Sequence, residues 1–354
     1  MPEKRFGYLD FIKGISIIWV VFCHRTIIPY DSVAGNIMMM LAFSSVPCFM
    51  MCSGYVLLFK QERAKRSLQR AWHVYTCMVV WKALYFLYFQ LFDAFPFTPV
   101  GLIRYLFLFS PMEGIETEHF WFLQAYLPAL LITPLLSPMF YQRRYGMVAA
   151  FVGLFYLSNQ FLMSADLLLD LASSRLHVDL GNLNTLSNIF PMGGEYSSMT
   201  VCFLLGGVHR LMEEKGFPKK PWFLLASLVC LLGGLGGMLL VRYLQTGSFE
   251  WHGKLLTAKY EWTSTLVMSF GMFSLLRSIG DLHPAKWIGR HLGRSSMGIY
   301  YLHYLFLMPL AVYVFPHAEP ALWMNIVKAI LVAVVCVPLV KLGKRIPLVR
   351  ELFR

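Results

Sequence analysis

Charge is what this chain has least of. Asp, Glu, Lys and Arg make up 14% of its 354 residues, 57% are hydrophobic, and the mean hydropathy is +0.57. That is too little charge to solvate a globular surface, and the apolar residues fall in long blocks. A soluble protein is excluded and a polytopic membrane protein is indicated. Cysteine is present without a pattern. All seven (Cys23, Cys48, Cys52, Cys77, Cys202, Cys230, Cys336) lie in apolar stretches with no Cys-x-x-Cys pair. They read as small buried hydrophobes, with neither a disulfide framework nor a metal site expected. Internal repeats, low-complexity linkers and room for a soluble module are also lacking, so residues 1–354 are expected to form a single membrane domain. The first apolar run carries His24 and Arg25 with no small-residue cleavage site after it, and is expected to remain as a mature helix.

The hydrophobic blocks predict an all-α polytopic fold of about ten transmembrane helices, near 11–28, 36–59, 72–92, 120–141, 145–163, 190–211, 222–243, 262–278, 295–315 and 321–340. Basic clusters then orient it. The 60–70 segment, Arg143 with Arg144, the 210–220 and 277–294 segments and the C-terminal tail share the side of the N-terminus, so both termini are expected in the cytoplasm. Acidic residues such as Glu113, Glu116, Glu118, Asp166, Asp170 and Asp179 fall mostly on the outer side. The pI near 9.4 therefore reports insertion topology, and no nucleic-acid partner is expected. Two outer segments are long, about 93–119 and 164–189. The second carries leucines at helical spacing and is expected to lie flat in the interface.

A charge at the centre of a span costs about 2.5 kcal/mol or more, so each one is a functional candidate. Lys82 and Lys328 have stems long enough for structural or snorkelling roles. His303 stands about 12 Å from the cytoplasmic edge by helix rise, and suits a helix–helix hydrogen bond as well as a substrate contact. His24 is the strongest candidate. It follows Lys13 by eleven residues, which places it roughly 16 Å further along a helix, near mid-bilayer, and on the same face. That face runs Asp10, Lys13, Gly14, Ile17, Val21, His24, with Arg25 beside it, and forms a polar track that lipid would reject. Neutral imidazole, the form an apolar surrounding favours, is what a general base requires. Two function classes fit: an enzyme with His24 as base, or a proton-coupled small-solute transporter using the same histidine.

Four motifs in order favour the enzyme. Tyr8-Leu9-Asp10-Phe11-Ile12-Lys13-Gly14-Ile15 leads to Val20-Val21-Phe22-Cys23-His24. Pro47-Cys48-Phe49-Met50-Met51-Cys52-Ser53-Gly54-Tyr55 falls in the second span. His119-Phe120-Trp121-Phe122-Leu123 opens the fourth, and Leu292-Gly293-Arg294-Ser295-Ser296-Met297-Gly298-Ile299-Tyr300-Tyr301-Leu302-His303 opens the ninth. Together they resemble the membrane acyltransferase-3 family, integral-membrane O-acyltransferases that decorate bacterial glycans. The family has arginine where this chain has Lys13, and a pair of arginines three apart where this chain has Arg66 and Arg70.

The resemblance implies transfer of an acyl group, most often acetyl, from cytoplasmic acetyl-CoA or another acyl-CoA to a hydroxyl of a cell-envelope glycan or lipid-linked sugar. No metal is implied, and the location is the bacterial cytoplasmic membrane. His24 would be the catalytic base, with Lys13, Arg66 and Arg70 holding the donor. Asp10, Arg25, Ser53, Glu118, His119, Trp121, Glu195, Tyr300 and His303 would serve substrate binding, since aromatic faces stack on sugar rings while carboxylates accept hydroxyl protons. The acidic outer face suits a neutral or cationic acceptor.

Overall fold

The computed structural model describes residues 5–24, 28–29, 31–61, 63–92, 94–183, 196–253, 255–256, 259–310 and 321–353. Arg25 and Glu195, both expected at the site, lie outside the described residues. The described residues are all helical, with no strand among them. In chain order the α-helices are α1 Gly7–Cys23, α2 Val33–Ala42, α3 Ser45–Leu57, α4 Ala64–Phe92, α5 Pro99–Phe107, α6 Trp121–Tyr141, α7 Tyr145–Tyr156 and α8 Leu162–Leu176. Then follow α9 Ser198–Glu214, α10 Pro221–Thr246, α11 Thr263–Ile279, α12 His283–His291, α13 Ser296–Pro309 and α14 Leu322–Gly343.

Six stretches are long and apolar enough to cross a membrane: Val33–Leu57, Ala64–Phe92, Glu118–Tyr141, Tyr145–Leu176, Pro221–Thr246 and Leu322–Gly343. The other four expected spans coincide with α1, α9, α11 and α13, which are shorter. Length makes the division, and burial varies within it: the Val33–Leu57 window is 72% buried. Only 22% of the apolar window of α10 is buried, whereas most of α1 and α9 is. A helix surrounded by other helices tolerates polar residues that lipid would not, and α1 and α9 bury Asp10 and His209.

Glycine permits the closest of these contacts. A Cβ on Gly54 would overlap the Phe203 carbonyl, and one on Gly206 would overlap that of Met51, so α3 and α9 cross backbone to backbone. A polar clasp ties the same pair to α1 and α11. Arg277 makes a two-pronged ion pair with Glu213 (2.6 and 3.0 Å) and lies 3.7 Å over the Tyr8 ring. The Tyr8 and Tyr55 hydroxyls sit 2.6 Å apart, and Tyr55 donates to Glu213 at 2.7 Å.

Several elements depart from the expected boundaries. The second span is two helices, because the hydroxyls of Ser44 and Ser45 bond back to the carbonyls of Leu41 and Ala42 and Pro47 follows without an N–H. Helix α4 begins at Ala64 rather than near residue 72, so the basic 64–70 segment is helix and not loop. The 164–176 segment is not a separate interfacial element. It continues α7 through one π-helical turn, Leu157–Phe161, as a single 32-residue helix. Lys328 does not snorkel but is 9% exposed inside the fold.

Candidate active site

Helix α1 stops one residue before its histidine. His24 has extended backbone angles (φ −101°, ψ 132°), and its N–H bonds to the Val21 carbonyl. The expected helix through residue 28 therefore ends at Cys23, with the imidazole at the helix C-terminus. There the partial negative charge of the terminal carbonyls favours a cation. Two more histidines meet it. His119 lies in the 3₁₀ turn Glu118–Phe120 that starts α6, and His303 lies on α13. Ring centres are 6.0 Å apart for His24–His119, and 5.2 Å for both His24–His303 and His119–His303. Tyr304 closes the group, stacked on His119 at 5.1 Å and 5.3 Å from His24, with its hydroxyl donating to Glu116.

Hydrogen bonds fix part of this cluster. His303 Nδ1 lies 2.7 Å from the Tyr300 carbonyl and 3.2 Å from that of Ile299, so Nδ1 carries the proton and Nε2 is an acceptor. The Tyr300 hydroxyl donates to the His119 carbonyl at 2.6 Å, which ties the α6 start to α13. His119 and His303 are 2% and 0% exposed, yet both ring nitrogens of His119 and Nε2 of His303 lack a partner among the described residues. Buried, unpaired imidazole nitrogens are costly and mark a place for a polar ligand. No group of three or more His, Cys, Asp or Glu among the described residues is arranged to hold a metal ion.

Three cavities run past this cluster. A small one of about 40 Å³ is lined by His24, His119, Tyr300, Phe122 and Ser296 among others. It shares Phe49, Phe122, Ser296 and Met297 with a cavity of about 730 Å³, lined also by Lys13, Arg66, Arg70 and His73. It shares Trp121 with a third, of about 710 Å³, lined also by Glu118, Tyr196, Lys259 and Tyr260. The basic cavity lies where α4 and α13 begin, the aromatic one where α6, α9 and α11 begin. The small cavity adjoins both.

The basic cavity gathers all three residues expected to hold a donor. Arg66 and Arg70, four apart, lie on α4, where i and i+4 share a face as i and i+3 do. The irregular spacing thus still aims two guanidinium groups into one space. Lys13 also faces an adjoining basic cavity of about 690 Å³ with Arg5, Lys60 and Arg210. Ser53 lines the basic cavity and bonds to the Phe49 carbonyl. Asp10, expected at the substrate, is paired with Arg5 at 2.6 Å, with Arg294 at 3.7 Å, and lines the adjoining cavity.

In the aromatic cavity Trp121 is flanked by Tyr196 (ring centres 5.6 Å) and Tyr260 (4.9 Å). Four residues here and in the cluster escaped the sequence reading: Tyr260, Lys259, Tyr304 and Lys82, the last having been assigned a structural role. Tyr304 had a signal, since Tyr300, His303 and Tyr304 occupy one helical face. Lys259 had none, because a loop lysine carries no mark of depth.

A bundle of this hydropathy, with imidazoles buried between two cavities, is an integral-membrane architecture with an internal polar site. The family model described as "Acyltransferase domain" matches residues 6–341, and the chain belongs to the acyltransferase-3 family. Membership makes it an acyltransferase, acting between an acyl donor and an acyl acceptor, and argues against the transporter alternative. Comparison with curated proteins and with solved structures gave no match.

Proposed function

We propose that the protein moves an acyl group, most simply acetyl, from cytoplasmic acyl-CoA to a hydroxyl of a cell-envelope glycan or lipid-linked sugar, with His24 as general base. The observation that carries this reading is the position of His24 on a small cavity that adjoins a basic cavity and an aromatic one. Coenzyme A carries several phosphate charges, which suit Lys13, Arg66 and Arg70. Its pantetheine arm would follow the roughly 16 Å from Lys13 to His24, by helix rise, and bring the thioester to the imidazole. The acceptor would enter from the aromatic side, its ring stacked on Trp121.

In the reaction, His24 takes the proton of the acceptor hydroxyl as its oxygen attacks the thioester carbonyl. The tetrahedral intermediate collapses, the carbon–sulfur bond breaks, and the coenzyme A thiolate takes the proton back from the imidazolium. Ester and thiol are the products. The C-terminus of α1 favours the imidazolium as it forms. Both termini lie in the cytoplasm in this reading, and all ten helices expected from the sequence span the cytoplasmic membrane.

The test is acyl transfer by the purified protein from radiolabelled acetyl-CoA to membrane glycan material, wild type against His24→Ala. Transfer by the wild type alone is expected. Equal transfer by both would remove His24 from the chemistry.

A further inference from the structure

The aromatic cavity is lined by carboxylates and ammonium groups at different depths. Glu113 and Glu118 are exposed, Glu261 is half-buried, and Lys82 lies deepest. Lys82 is 3% exposed, with Nζ donating to the Tyr105 carbonyl at 2.6 Å and lying 4.6 Å over that ring. Lys259 is half-buried, its Nζ 5.3 Å from the Phe43 ring centre and 5.5 Å from that of Tyr260. No carboxylate of the described residues stands within ion-pair distance of either ammonium. Burial pulls the Lys259 ammonium below the usual lysine range, with Cys23 and Glu118 acting in the opposite direction.

Depth decides which set of charges a bound molecule feels. Carboxylates in water are screened, whereas an ammonium among aromatic rings acts through a low dielectric and has shed hydration that a ligand can replace. An outer face that is acidic in sequence therefore surrounds a cavity whose deepest charge, Lys82, is cationic.

We propose that the acceptor bears an anion, the carboxylate of an acidic sugar or the phosphate of a lipid-linked sugar, seated against Lys259 and Lys82 while its ring stacks on Trp121 and Tyr260. This rests on the acyl-transfer reading and reverses the neutral or cationic acceptor expected from the outer loops. Tyr260 is near both groups, its ring centre 4.9 Å from that of Trp121 and 5.5 Å from the Lys259 Nζ.

The experiment uses the full chain in lipid nanodiscs with radiolabelled acetyl-CoA and three sets of soluble probes: neutral methyl hexosides, the matched methyl hexuronides, and hexose 1-phosphates. At least one anionic set is expected to exceed its neutral counterparts by about tenfold or more in kcat/KM. Whichever set leads identifies the anion. Lys259→Gln is the decisive variant, because among the described residues its Nζ makes no hydrogen bond whose loss would unfold the protein. It is expected to abolish the anionic preference, mainly through the probe KM, and Lys259→Arg to retain it. Neutral probes matching or outrunning both anionic sets would overturn the proposal, as would an anionic preference that survives in Lys259→Gln. Label in no probe of any class would instead contradict the acyl-transfer reading itself.

Discussion

His24 follows Lys13 by eleven residues, just past the end of α1, and in the proposed reaction the two divide the work between base and donor site. His24→Ala is expected to lower kcat by about 10²–10⁴-fold, the usual contribution of a positioned base, with little change in acyl-CoA binding by calorimetry. A matching loss of binding would mean that the imidazole holds the donor rather than acting on the acceptor. Lys13→Met is expected to raise the acyl-CoA KM by about tenfold, one charge-assisted contact, and Lys13→Arg to leave it near the wild-type value. Steady-state kinetics with varied acetyl-CoA would decide. His24 was legible in the sequence because a titratable group in an apolar run has an intrinsic cost, and that cost is visible in one dimension. His119 was legible only through its motif. Lys259 and Tyr304 were not legible as site residues, since their depth comes from neighbours distant in the chain: Phe43 beside one and Glu116 beside the other.

At the level of helices, the sequence located the apolar blocks well and their ends poorly. Hydropathy cannot see that Ser44, Ser45 and Pro47 interrupt a span, nor that α1 stops at Cys23, because both depend on backbone hydrogen bonds rather than on composition. It also could not see that Arg66 and Arg70, four apart, line one cavity, which follows from α4 beginning early enough to carry both. The clasp between Arg277 and Glu213 makes a sharper test of how the inner helices are joined. Arg277→Met strands a largely buried carboxylate and is expected to cost about 3 kcal/mol or more, read as a lowered thermal midpoint in detergent. Adding Glu213→Gln should restore much of the loss. Equal destabilisation by the single and double variants would show that the ion pair is not what holds α1, α3, α9 and α11 together. Gly54→Leu is expected to separate α3 from α9 and prevent accumulation of folded protein, assayed by size exclusion.

For the whole molecule, the arrangement of cavities matters more than any one of them. A basic space, a small imidazole-lined cavity and an aromatic space adjoin in that order, and in the proposed reaction donor and acceptor approach from opposite ends without sharing an entrance. Membrane-impermeant thiol labelling on a background lacking accessible native cysteines should modify Arg66→Cys only from the cytoplasmic side and Glu118→Cys only from the outside. Coenzyme A should protect the first and not the second. Labelling of both from one side would place the cavities on the same face of the membrane. The most direct measurement combines sidedness with chemistry: inside-out membrane vesicles containing envelope glycan are given radiolabelled acetyl-CoA on their outer, cytoplasmic, face. Wild-type protein is expected to deposit label on glycan within the lumen, and His24→Ala to lower that rate at least about a hundredfold while still binding coenzyme A. Luminal labelling at the same rate with either protein would contradict acyl transfer at His24.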